Sequence, residues 1–142
     1  MKSHNRQANA GVTLIELVVV IAIIAIISSI ALPSYAKYVQ KSKRVKAQSC
    51  LLEYSQYMER FRSANMRYDK KSDGSSHTLP SLDCASDGGL DESYTIGLLA
   101  NSLKSREYTL QAIPKGGQSV DSCGTMAINH MAVKTAAESN CW

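Results

Sequence analysis

The chain has 142 residues, 44% of them hydrophobic and 20% charged, with a formal net charge of +4. That balance is ordinary for a globular protein and too mild to argue for nucleic acid by itself, and no low-complexity run or internal repeat is present. Once a terminal membrane segment is set aside, about 100 residues remain, enough for one small domain but not for two.

Residues 1–11, Met-Lys-Ser-His-Asn-Arg-Gln-Ala-Asn-Ala-Gly, are short, polar and basic, and end on a small residue. The apolar run from Val12 to Leu32 follows directly, about long enough to cross a bilayer as a helix at roughly 20 residues and 30 Å. In an ordinary secretory signal the small-residue cleavage site follows the apolar core, whereas here it precedes it. Cleavage after Gly11 would leave the helix on the mature chain with a new amino terminus at Val12, and without Lys2 and Arg6 the 16 basic residues become 14 against 12 acidic, or +2. Glu16 is the anomaly, an acid inside the apolar run that costs a few kcal/mol unless paired or near the interface. The freed Val12 amine of one subunit and Glu16 of another could neutralise each other as helices bundle, which would set axial register as a buried polar residue does in a coiled coil.

Gly11-Val-Thr-Leu-Ile-Glu16, the apolar run behind it and Pro33 resemble the class III signal of type IV prepilins and pseudopilins. Val12 stands where that family most often has Phe. The resemblance implies that a dedicated prepilin peptidase cuts between Gly11 and Val12 and methylates the exposed amine, and that the helix becomes the packed core of a filament. It divides the chain into a leader at 1–11, a transmembrane and filament-core helix at 12–34, and a periplasmic head at 35–142.

Pro33, preceded by Ser28-Ser29, predicts a kink or local unwinding near residues 30–34, after which the helix resumes. Ala47, Cys50, Leu51, Tyr54, Met58 and Phe61 step by three and four and form one stripe of a helix reaching about Asn65. Between these lies a basic block, Lys37, Lys41, Lys43, Arg44 and Lys46, of which Lys37, Lys41 and Arg44 share a face. It reads as a contact for anionic headgroups, for a neighbouring subunit or for DNA phosphates. Positive charges after the apolar run outnumber those before it, which by the positive-inside rule would place the head in the cytoplasm. The four cysteines and the prepilin-like motif argue the opposite, and they are preferred.

Residues 66–93 are rich in turn formers and predict a long loop. Three strands follow: Tyr94–Leu99, Glu107–Ile113 and Thr125–Asn129. The alternations Tyr94/Ile96/Leu98, Tyr108/Leu110/Ala112 and Met126/Ile128 would face the helix stripe in an antiparallel meander. The expected class is therefore α+β, with a long helix packed by its second half on a small sheet, as in the type IV pilin fold. The tail from His130 to Trp142 reads as a fourth short strand or a loop. Cys50, Cys84, Cys123 and Cys141 read as two disulfides. Of three pairings, Cys50 with Cys84 and Cys123 with Cys141 is favoured, because each closes a local loop.

No phosphate loop, dinucleotide fingerprint, metal-ligand spacing or catalytic constellation is recognisable, so neither enzyme, cofactor nor metal is expected. Tyr108-Thr-Leu-Gln-Ala-Ile-Pro114, Cys123-Gly-Thr-Met-Ala-Ile-Asn129 and Cys141-Trp142 look like the carboxyl-terminal pattern of PilE-type minor pilins. The resemblance implies a low-abundance subunit that helps initiate pilus assembly. Its implied partners are major and minor pilins, the prepilin peptidase, the assembly platform and the inner membrane. The subunit would wait in the inner membrane with a periplasmic head and later stand in the cell-surface pilus. The alternatives are a major pilin, a DNA-uptake pilin and a type II secretion pseudopilin; the last is weakened by the absence of an acidic cluster suited to calcium near the carboxyl terminus.

Overall fold

The structure is a computed structural model that describes residues 11–142, so the expected leader, with Lys2 and Arg6, lies outside the described residues except for Gly11. Two compact units are distinguished, one ending at Tyr38 and the other spanning Val39–Trp142. Helix α1, Leu14–Asn65, supplies residues to both.

In the first unit the Thr13 hydroxyl accepts the Glu16 backbone N–H at 3.3 Å, capping a helix start that carries an acid in its first turn. The helix is long and apolar enough to cross a membrane. Its large side chains are exposed along the whole run, Leu14 at 82% and Ile30 at 71% among them, and such a surface needs lipid or other helices to cover it. No unwinding occurs near residues 30–34: α1 continues through Pro33. Proline lacks only one N–H, and the Ser29 hydroxyl turns back to Ile26 O at 2.7 Å, a bond that leaves the helical backbone in place.

The second unit is built on the stripe. Ala47, Cys50, Leu51, Tyr54 and Met58 are buried, while Phe61 is half-buried. The five buried ones pack with Tyr94, Tyr108, Leu110, Ala112, Met126 and Ile128 from an antiparallel sheet of order β1-β2-β3-β4. The strands are β1 Tyr94–Leu98, β2 Thr109–Pro114, β3 Met126–Asn129 and β4 Lys134–Thr135. Register pairs Ile96 with Ala112 and Leu110 with Ile128, so the apolar positions of period two share one face. The fourth strand lies in the tail, where Ile128 pairs with Lys134.

Residues 66–93 are not one structureless loop. Lys70 and Ser76 bridge in a small hairpin, two single 3-10 turns cover Asp83–Ala85 and Asp87–Gly89, and a short helix α2 spans Leu90–Ser93. Cys50 is bonded to Cys84 with Cα atoms 5.4 Å apart, and Cys123 to Cys141 at 5.6 Å. Each bond restricts the unfolded chain by about 2–4 kcal/mol.

Helix and sheet are also joined by a buried ion pair. Arg44 donates from Nε and Nη2 to the two oxygens of Asp121, at 2.9 and 2.8 Å. The same carboxylate accepts from Gln118 Nε2 at 2.9 Å, from the Cys123 N–H at 3.2 Å and from the Tyr94 hydroxyl at 3.4 Å. Burial pushes the Asp121 carboxyl up, but the Cys123 N–H, Arg44 and Gln118 outweigh it and hold it below the usual carboxylate range. Burial likewise pushes Tyr94 and Tyr108 up to about 12, helped in each case by a neighbouring carboxylate, Asp121 or Glu59.

These bonds set the behaviour of the detergent-solubilised chain in denaturation followed through the single tryptophan, Trp142. Arg44→Met should cost about 3 kcal/mol, because it strands a buried carboxylate. In the wild type the contribution of Asp121 should be full above about pH 4 and be lost as pH falls through its depressed folded value. At the alkaline end, the unfolded chain releases tyrosine protons from about pH 10 while folded Tyr94 and Tyr108 keep theirs, so stability should fall between about pH 10 and 12. Tyr108→Phe should shrink that alkaline loss and cost about 1 kcal/mol at neutral pH; an unchanged alkaline profile would contradict the assignment.

Candidate functional site

Three chain segments meet at one end of the sheet. The β1–β2 loop turns at left-handed Asn101, where the Ser102 hydroxyl donates to Leu99 O at 2.7 Å and accepts the Thr109 N–H at 3.2 Å. The β3–β4 turn is wound on Asn129, whose side-chain oxygen accepts the N–H groups of Met131 and Val133, both at 3.0 Å, around left-handed Ala132. The segment leaving α1 reaches the same place, with Tyr68 N–H donating to Ser105 O at 3.2 Å.

Between the first two segments lies an open groove of about 340 Å³, lined by Ser102, Lys104, Glu107, Tyr108, His130 and Met131 among others. Its floor is held by a polar network. The Tyr68 and Tyr108 hydroxyls both donate to Glu59 Oε1, at 2.8 and 3.2 Å, Arg62 donates to the Tyr68 hydroxyl at 3.2 Å, and the two rings meet edge to face. Burial, followed by the Glu59 hydrogen bond, raises the Tyr68 phenol above its ordinary value. Both hydroxyls donate to Glu59 as neutral phenols, as tyrosine ordinarily is at neutral pH.

The rim is basic. Residues 59–73, 99–108 and 129–135 together hold eight Lys and Arg against four Asp and Glu. Two of the four acids are paired with cations of the same set, Asp69 with both forks of Arg67 at 2.6 and 2.8 Å and Glu107 with Lys104 at 2.5 Å, while Glu59 accepts from the tyrosines and Asp73 from the Ser75 N–H at 2.8 Å, so six cations stand against two acids. Arg60, Lys70, Lys71 and Arg106 are exposed. By contrast, residues 83–92 carry four acids, Asp83, Asp87, Asp91 and Glu92, and no base.

Lys70 and Lys71 are presented on a hairpin anchored by His77. That ring is buried, stacks on Phe61 at 3.7 Å between centroids, donates from Nδ1 to Tyr68 O at 2.8 Å, and faces the Tyr57 hydroxyl at 3.3 Å. Burial holds its pKa below the ordinary histidine value, with Lys71 adding to the effect against the Tyr68 carbonyl.

Of the residues singled out from sequence, Lys37 and Lys41 are exposed on α1, but Arg44 is not free for lipid or DNA because Asp121 occupies its guanidinium. Gly11, Val12 and Glu16 are exposed at and just before the start of α1. The groove and its basic rim have no motif in the sequence. Their cations are scattered over some 75 residues and brought together by the hairpins, and the only local signals are the turn-forming residues at Asn101 and Asn129. Among the described residues, no group of acidic, His or Cys side chains could hold a metal ion.

A family described as type IV minor pilin ComP, DNA uptake sequence receptor, matches residues 33–127, and the prokaryotic N-terminal methylation motif matches residues 6–32. No curated protein matches the chain. Among solved structures, the non-core minor pilin PilV of Neisseria meningitidis is similar at 19% identity, covering 72% of this chain and 91% of its own, with a TM-score of 0.49. With two thirds of its length inside the first of these families, the chain belongs to the ComP family of type IV minor pilins.

Proposed function

We propose that this minor pilin, a structural subunit of a type IV pilus, binds duplex DNA through the basic rim of its head. Among the roles open to a minor pilin, including priming of assembly, DNA binding is the one favoured by a specific observation. The three segments that meet at the groove hold eight cations against four acids, six against two once the Arg67–Asp69 and Lys104–Glu107 pairs are set aside, while residues 83–92 carry four acids and no base. The family's description as a DNA uptake sequence receptor supports the same reading. Phosphates would be met by exposed Lys70, Lys71 and Arg106, and each phosphate neutralised releases condensed counterions. The hairpin ends, with Asn129 and His130, offer the polar groups that base edges require.

The other end of the chain serves assembly. As a type IV minor pilin the subunit associates with other pilins and the pilus machinery, anchored by its apolar helix before incorporation. In our reading a prepilin peptidase cuts between Gly11 and Val12, the Val12 amine is methylated, and Glu16 pairs with the Val12 amine of a neighbouring subunit. Thr13 supports this by fixing the first turn, which holds Glu16 at the helix start. The head would face the periplasm from the inner membrane and then the cell exterior from the pilus, compartments in which its two disulfides persist.

Two experiments test these readings. Binding of the full chain in neutral detergent to duplex DNA should weaken steeply with salt, and Lys70→Gln, Lys71→Gln and Arg106→Gln should each lower the logarithmic salt slope by about one. Lys37→Gln and Lys41→Gln should leave it unchanged; the reverse pattern would move the contact to α1, and salt-independent or absent binding would end the DNA reading. In cells, Gly11→Leu should leave the leader attached in mass spectra, whereas Glu16→Val should permit cleavage but deplete the subunit from sheared pili. Normal incorporation of Glu16→Val would dispose of the pairing role.

A further inference from the structure

Met66 is the first residue past α1. Its N–H closes the helix on Arg62 O at 2.7 Å, and its φ is +60°. A left-handed residue at this position is ordinarily glycine, because a side chain there crowds the backbone. A methionine could be retained by good packing, but Met66 is 86% exposed, the most exposed large hydrophobic residue in the second unit. It therefore holds a left-handed backbone and an apolar side chain without serving the core, and backbone outliers of this kind cluster at functional contacts.

Its surroundings identify the partner. Arg62 precedes it, the Lys70–Ser76 hairpin follows it, and the Tyr68–Ser105 hydrogen bond ties its segment to the loop carrying Arg106. In the β3–β4 turn a second exposed methionine, Met131 at 67%, lines the groove beside another left-handed residue, Ala132. An apolar tip set among cations is suited to a polyanion that also has an apolar interior. Stacked base pairs between two phosphate backbones fit that description, and methionine is among the side chains that enter base steps from the minor groove. Its unbranched, polarizable thioether adapts to the gap between bases.

We propose that Met66 is a wedge that inserts into a base step of duplex DNA, while the flanking cations hold the backbones on either side. This rests on the reading of the basic rim as a DNA surface. It adds that recognition involves local unstacking, so that sequence is sensed partly through how easily a step deforms.

The test uses the full chain in neutral detergent. Duplexes retained by the protein are recovered from a random-sequence pool and resynthesised with a fluorescent adenine analogue that brightens on unstacking. Wild type should brighten the analogue at one step. Met66→Ala and Met66→Gly should abolish the brightening and weaken binding about tenfold, since the apolar wedge is lost. The logarithmic salt slope should stay unchanged because no phosphate contact is touched. Met66→Gly should also melt at the same or a higher temperature, because glycine relieves the left-handed strain; a lower melting temperature would show that Met66 serves the fold and overturn the wedge. Retained brightening in either variant overturns it as well, while DNA binding stands. Failure to retain any duplex removes the basic-rim reading, and the wedge with it.

Discussion

The carboxylate of Asp121 is the constraint around which the second unit is assembled. Its side chain is only 2% exposed, so its charge must be compensated by donors rather than by water. Those donors come from separate parts of the chain: the Arg44 guanidinium from α1, the Tyr94 hydroxyl from β1, the Gln118 amide, and the Cys123 N–H beside the second disulfide. Gln118 also reaches Gln40 O on α1 at 3.0 Å, and Gln48 donates to the Cys141 carbonyl. Apolar packing of the stripe against the sheet is non-directional and would tolerate some sliding. Geometrically demanding bonds to a buried ion would not, so they set the register of helix against sheet.

This arrangement has a functional consequence. Cations on the helix near Asp121 are drawn into structure: Arg44 is consumed, and a side chain at Gly88 would run into the Lys46 amine, so that lysine lies along the acidic 83–92 segment. Exposed positive charge also lies in the segments that meet at the groove, the turns at Asn101 and Asn129 and the segment leaving α1, with Arg60, Lys70, Lys71 and Arg106 exposed there. Among the described residues, the three left-handed residues that are not glycine, Met66, Asn101 and Ala132, occur in those three segments. Backbone strain and exposed cations concentrate where the chain has no core to build, as expected of a contact surface.

The two units thus serve different requirements. The apolar first part of α1 is uniformly exposed and must be covered by lipid or by other helices, which suits a subunit that is anchored and then packed into a filament. The second unit carries its own core, two disulfides and a buried ion pair, and so can present a charged surface without relying on neighbours for stability.

Much of this was legible in order along the chain. Gly11, Glu16 and the apolar run are contiguous, so the signal for membrane anchoring and filament assembly is complete within about two dozen residues. The stripe from Ala47 to Met58 and the alternations in β1, β2 and β3 follow from periods of 3.6 and 2, which any helix or strand with one buried face must show. The roles of Arg44, His77 and the basic rim could not be read this way. Arg44 and Asp121 are 77 residues apart, so the pair exists only once the sheet is laid on the helix. His77 sits among serines in sequence and against Phe61 and Tyr57 in space. Local periodicity determined which elements form and which faces they bury; tertiary structure decided which charges are neutralised in the core and which remain for a partner, because pairing depends on distances that only the packed chain defines.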